Sequence, residues 1–240
     1  MRKGLLETVI TGASTRTSHA QVVNELGKAI IAGDFPIGAI LPGDAELAQR
    51  FKVSRTVLRE AMKTLAAKGL IVPRARIGTR VTPKTQWNLF DGDILTWYFA
   101  VGVSQEFLLD LSEVRLAFEP HAAALAARHA TDADISQMMR LAVADLKFHL
   151  CLLEVSRNPF LRTVGSLIEA ALVGVFKLSS AAADHGKIED IATTHIRIVE
   201  EIRRRDENGA RRAMEHVIQV GRGRVVDALE EKAREAGSLA

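Results

Sequence analysis

Residues 41–71, LPGDAELAQRFKVSRTVLREAMKTLAAKGLI, followed by RIGTRV at 76–81, decide the fold of the first third of the chain. Asp44 to Phe51 suits a short helix. Only Lys52 and Val53 separate it from Ser54, whose hydroxyl can cap a second helix running to about Ala67 before Lys68-Gly69 closes it. In that second helix Leu58, Ala61, Met62 and Leu65 recur at i, i+3, i+4 and i+7, a stripe that belongs against a core. Arg55, Arg59 and Lys63 recur at i, i+4 and i+8 on the other side. Upstream, Val22, Val23, Leu26, Ala29 and Ile30 predict a helix over Ser18 to Ala32, broken by Gly33 to Gly38. Downstream, Leu70-Ile71-Val72, Pro73 and Arg74 to Val81 around Gly78 predict a β-hairpin. Helix, helix, tight turn, helix and hairpin within about 65 residues is the order of a winged helix-turn-helix.

Such a recognition helix enters the major groove with its N-terminal end forward. Ser54, Arg55, Thr56 and Arg59 are therefore placed for base edges, with Lys63 further along. Arginine can hold guanine O6 and N7 with two parallel hydrogen bonds. On the wing Arg74, Arg76 and Arg80, with Gly78, are placed for phosphate or the minor groove. The charge agrees. Residues 1–85 hold 14 Lys and Arg against 6 Asp and Glu, a balance of +8, while the rest of the chain stands at −5. A solvated basic face has the same composition; the tight turn before the stripe and the basic wing after it point to double-stranded DNA.

The predicted class is mainly α: a basic arm over 1–17, a winged helix-turn-helix over 18–83, a linker and connecting helix over 84–103, and an all-α antiparallel bundle over 104–236. Segments 91–101, 104–130, 132–156, 159–183, 187–205 and 207–236 read as helices. No apolar run reaches the roughly 18–20 residues of a membrane span, so no membrane partner is expected. The single cysteine, Cys151, sits in an apolar run and reads as packing. With no internal disulfide available, a reducing, cytoplasmic setting is expected.

The bundle carries a second pattern. Asp145 and His149 stand at i and i+4, on one face of a helix, as a pair of metal ligands would. His195 and His216 flank the turn Arg205 to Gly209 at similar heights in a helical hairpin, each beside apolar residues that suggest an inward aim. Spacing alone leaves two readings open, core histidines or an Asp/His3 site for a divalent cation.

The stretch quoted first, with RIGTRV, resembles the winged helix-turn-helix of the GntR family of transcriptional regulators over roughly residues 20–82. The resemblance implies DNA contacts at Arg55, Thr56, Arg59 and the wing around Gly78. One departure is Ala45, where the family often has arginine. Residues 105–235, with LSEVRLAFEPHAAALAARHAT, DLKFH, NPFL, TTHIRIVEEI and AMEHV in order, resemble the FCD ligand-binding domain of the FadR branch. That resemblance implies a divalent metal (zinc, nickel or manganese) on Asp145, His149, His195 and His216. It also implies a small carboxylate effector held by Arg115, although Arg115 can equally pair with Glu119 at i+4. QWNLFDGDILTW at 86–97 resembles the regulators of galactonate and related sugar-acid operons. A second departure is the short bridge Gln137 to Ala144, where such regulators have a longer segment. Asn158 reads as a helix cap.

The functional expectation is a homodimeric repressor on a palindromic operator, released by a sugar acid or derivative bound at the metal. Two rivals remain at this stage. One is a metal-dependent hydrolase built on the Asp/His3 site; the other is a protein that compacts DNA without sequence preference.

Overall fold

The computed structural model describes residues 17–178 and 185–237. The basic arm expected over 1–17 lies, except for Thr17, outside the described residues. The chain divides into two compact units, Met1–Gly102 and Val103–Ala240.

In the first unit α1 spans Ser18–Ala32. The Thr17 hydroxyl accepts from the Ala20 N–H at 3.2 Å and starts it. Helices α2 (Asp44–Phe51) and α3 (Arg55–Ala67) are joined by a turn in which Lys52 takes a left-handed conformation, φ 54°. Ser54 caps α3 by accepting from the Val57 N–H at 3.3 Å. Leu58, Ala61 and Leu65 face inward and pack with Val22, Leu26, Ile30 and Leu47, while Met62 is half-buried at the edge of that core. Strands β1 (Ile71–Arg74) and β2 (Gly78–Val81) form an antiparallel ladder that pairs Ile71 with Val81 and Arg74 with Gly78. Residues 39–41 extend it: the Leu41 N–H donates to the Thr79 carbonyl at 2.8 Å and the Val81 N–H to the Ala39 carbonyl at 2.9 Å.

The segment read as a linker and connecting helix belongs to this core. After one 3-10 turn at Lys84–Gln86, α4 (Gly92–Val101) packs on α1. Trp87, Ile94 and Trp97 are buried with the residues of α1 and α3. The Trp97 indole N–H donates to Asn24 Oδ1 at 2.9 Å. Its ring lies so close to Gly27 that any Cβ there would overlap it. Gly69, at φ 82°, meets the backbone carbonyl of Gln86 in the same way. Lys68, at the end of α3, is buried between Asp91 at 2.7 Å and Asp93 at 2.8 Å. Burial disfavours the ammonium, but the two carboxylates outweigh it and raise its pKa. Asp91 also caps α4, accepting from the Asp93 N–H at 2.9 Å.

The second unit is a helical bundle around α5 (Gln105–His129). The other helices are α6 (Asp132–Leu141), α7 (Asp145–Val155), α8 (Pro159–Thr163), α9 (Gly165–Leu178), α10 (His185–Arg203) and α11 (Glu207–Gly237). Helix α5 packs on α7, α9, α10 and, most extensively, α11. A capping box between Thr131 and Asp134 opens α6, and Asn158 caps α8 by accepting from the Phe160 N–H at 3.0 Å. Two segments expected as single helices are interrupted. The 132–156 stretch breaks at Ala142 to Ala144, where Ala144 leaves helical geometry (φ −111°, ψ 76°), and the 159–183 stretch breaks at Val164. The first break has no glycine or proline in it, so local chemistry does not announce it, whereas the second abuts Gly165. At the first, the freed Ala142 carbonyl has a tertiary partner, the ring of His195.

Candidate functional site

With Leu58, Ala61 and Leu65 turned to the core, the opposite side of α3 is left to solvent. Ser54, Arg55, Thr56, Arg59 and Lys63 are all exposed. Arg59 Nε lies 3.4 Å from Asp44 Oδ2 and Lys63 Nζ 2.8 Å from Glu60 Oε1. Exposed pairs of this kind are worth at most about 1 kcal/mol and give way easily to phosphate. On the hairpin Arg74, Gly78 and Arg80 are exposed, and Arg76 stands at the tip with φ 64°. All nine residues singled out for DNA are therefore solvent-facing side chains or backbone of the first unit. The Arg59–Asp44 contact, which ties α3 to the start of α2, was not foreseen.

In the second unit α7 and α10 bring Asp145, His149 and His195 together. One ligand atom from each lies within 4.8 Å of the others. His149 Nε2 is 3.2 Å and His195 Nε2 3.4 Å from Asp145 Oδ1. The i, i+4 spacing on α7 aligns the first pair. His195 is oriented by the helix break: its Nδ1–H donates to the Ala142 carbonyl at 2.7 Å. That leaves His195 Nε2 buried, without a hydrogen-bond partner, and aimed at the Asp145 carboxylate. A stacked Phe148 ring at 4.3 Å holds the imidazole in place. An orphaned buried nitrogen beside a carboxylate and a second imidazole is a group that could hold a divalent cation.

His216 is not brought to this cluster. It is exposed on α11 and lines an outer cleft with Thr193, Ile196, Arg197 and Glu200. The residue of α11 that faces Asp145, His149 and His195 is Val217, on a stripe with Val220, Gly221 and Arg224 at i, i+3, i+4 and i+7. Counting from the turn matched the height of His216 to His195 but not its phase. One residue along a helix is a rotation of about 100°.

Arg115 makes the intrahelical pair offered for it and stands at the cavity wall. It pairs with Glu119, Nε to Oε1 at 2.5 Å, and it also lines the cavity, with Nη2 3.2 Å from His149 Nε2. Two features of this site were missed. Glu119 is fully buried and accepts a hydrogen bond from His149 Nδ1. Arg224 lines the cavity and makes no ion pair among the described residues. The α11 stripe was a signal for the second; the i+4 spacing from Arg115 marked Glu119, but not its meeting with His149 across two helices.

The two buried carboxylates stay ionised. Burial would raise the Glu119 carboxyl, but the charges and hydrogen bonds of Arg115 and His149 hold it down at about 2. Burial likewise opposes ionisation of Asp145, yet the adjoining imidazoles of His149 and His195 keep it well below the ordinary carboxylate range. Burial pushes His149 down, and the Glu119 charge more than offsets this, so its pKa is raised. The cavity itself has a volume of about 40 Å³. That is room for an ion and a water or two, against roughly 300–1,000 Å³ for a pocket holding a drug-sized ligand.

A winged helix-turn-helix with a cationic recognition helix, followed by a helical unit with a buried ligand cluster, defines a DNA-binding transcriptional regulator. The chain belongs to the GntR family: residues 18–81 match "Bacterial regulatory proteins, gntR family" and residues 110–220 match the FCD domain. It is 36% identical over 165 residues to the uncharacterized HTH-type transcriptional regulator YieP of Escherichia coli K12, covering 62% of this chain and 72% of that one. It is 30% identical over 207 residues to the galactonate operon transcriptional repressor of the same organism, covering 80% and 90% respectively. Among solved structures, Lar of Listeria monocytogenes shares the fold, with a TM-score of 0.60 over 90% of this chain and 99% of the other at 20% identity. These relatives are regulators, and the hydrolase reading finds no support in them. Among the described residues no helix is long and apolar enough to cross a membrane.

Proposed function

We propose that this regulator is a cytoplasmic, homodimeric repressor whose palindromic operator is released when a small carboxylate effector binds at a divalent metal. The carrying observation is the partnerless, buried His195 Nε2 converging with His149 Nε2 on Asp145. Asp145, His149 and His195 hold the metal (zinc, nickel or manganese), which supplies a Lewis-acidic anchor with open coordination positions. Arg115 and Arg224 line the same cavity and supply positive charge for the effector carboxylate. The similarity to a galactonate operon repressor supports a sugar acid or derivative as that effector.

A sugar acid is larger than the cavity of about 40 Å³, so binding has to part its walls. That requirement gives the effector two states to discriminate, which coupling to DNA affinity needs. On the operator side, Ser54, Arg55, Thr56 and Arg59 read bases, while Lys63, Arg74, Arg76 and Arg80, with the Gly78 backbone, hold phosphate or the minor groove.

The test is a thermal-shift and operator-binding screen of the full chain against sugar acids, with and without chelator. Stabilisation and operator release that both vanish on metal removal are expected. Effector response that persists in metal-free protein would overturn the metal-anchored mechanism.

A further inference from the structure

We propose that Glu119 is a positioning residue of the metal centre: from α5 it fixes the ring of His149 so that Nε2 is the atom presented to the cation. The inference rests on the reading that Asp145, His149 and His195 hold a divalent metal, and it adds a residue outside that ligand set.

Three observations carry it. Glu119 has no solvent exposure, and a buried carboxylate persists only where partners satisfy it. Its two oxygens are spent on two partners: Oε1 accepts from Arg115 Nε at 2.5 Å, and Oε2 accepts from His149 Nδ1. A carboxylate paired with a guanidinium only accepts, so Nδ1 carries the hydrogen. With Nδ1 committed, Nε2 is the one ring atom left to offer a lone pair to a metal, and it is the atom 3.2 Å from Asp145. Without Glu119 the ring is free to take the other tautomer, with a hydrogen on the nitrogen that should bind.

Arg115 completes the relay. It can only donate, and its Nε–H and one Nη are directed at Glu119 and the His149 ring. Its charge keeps Glu119 ionised in a place where an unpaired carboxylate would protonate. A cation held at His149 Nε2 would take the place of the 3.2 Å contact from Arg115 Nη2, whereas the Arg115–Glu119 pair runs through other atoms. The arrangement is a carboxylate–histidine–metal relay with its own counter-ion, drawn from two helices.

The experiment is a zinc titration of chelator-stripped, full-length protein against a competing metal indicator. It compares wild type with Glu119→Gln, alongside thermal melts of the metal-free proteins. Loss of an outer partner of this kind weakens metal binding by about 10–100-fold. That loss is expected in Glu119→Gln with Asp145, His149 and His195 intact. Because Glu119→Gln strands Arg115 in the interior, the double variant Arg115→Met/Glu119→Gln removes both charges and serves if the single variant does not fold. Nitrogen-15 spectra of the zinc-loaded wild type give a separate readout, with hydrogen expected on His149 Nδ1 and none on Nε2. A wild type that binds no zinc defeats the metal reading itself. A wild type that binds, with folded variants within about threefold of it or with the hydrogen on Nε2, defeats the role given to Glu119.

Discussion

His216 and Val217 are neighbours on α11 with different destinations: Val217 lines the cavity of Asp145, His149 and His195, and His216 opens to solvent beside Arg197 and Glu200. Among the described residues, the group that could hold a metal is therefore one carboxylate and two imidazoles, with the apolar Val217 on the cavity wall.

From this follows a gain-of-affinity experiment. Val217→His places a third imidazole on the cavity face of α11, and a closed four-ligand site binds zinc more tightly than an open one. A gain of about tenfold, or about 1.4 kcal/mol, is expected in chelator competition. His216→Ala should leave metal content unchanged and His195→Ala should abolish it; the reverse pattern would show that the imidazole of His216 is a ligand.

Metal uptake should depend on pH in a defined direction. The folded-state pKa of His149 is raised above 6.5, so protons compete for Nε2 at less acidic pH than for an ordinary histidine. Zinc affinity is expected to be full at high pH and to fall as pH drops through that raised value, beginning above 6.5. A loss of affinity confined to pH well below 6.5 would contradict the buried Glu119–His149 contact.

On the DNA side, Arg55→Ala or Arg59→Ala should each cost about 1–3 kcal/mol on the operator and relax preference at one base pair. Arg76→Ala should weaken all duplexes alike and reduce the salt slope by about 1. Fluorescence anisotropy at several salt concentrations separates the two behaviours. Equal losses on operator and random DNA for Arg59→Ala would remove it from base reading.

Lys68→Met tests the ion pair at the end of α3. It leaves Asp91 and Asp93 without their cation, but both retain some solvent, so a loss of about 1–3 kcal/mol in denaturant unfolding is expected. Gly27→Ala should be worse tolerated, since the added methyl meets the Trp97 ring. Wild-type stability in both variants would mean that α4 does not depend on these contacts.

Much of this was legible in the chain because it is written in local periodicity. The stripe Leu58, Ala61, Leu65 and the cap at Ser54 fix α3 without any distant partner, and the exposed face proposed for DNA follows from that phase. Asp145 and His149 share a face by spacing alone. What was not legible depends on tertiary contacts. The break at Ala142 contains no breaker residue, and Glu119 meets His149 only because α5 and α7 pack. The phase of α11 decides between His216 and Val217, and the stripe Val217, Val220, Gly221, Arg224 held that information. Flanking apolar residues concealed it. Trp87 and Trp97 were the overlooked sign that 84–101 is core, since two tryptophans are poor company for a solvated tether.

The docking of α4 onto α1 sets the shortest self-sufficient piece of the operator-reading half. A fragment cut at residue 83, where the motif ends, would strip Trp87, Ile94 and Trp97 from Val22, Val23 and Leu26 and bare an oily floor prone to clumping. Cutting after Gly102 keeps that seal, so crystallisation with duplex or domain-swap engineering should treat residues 18–102 as indivisible.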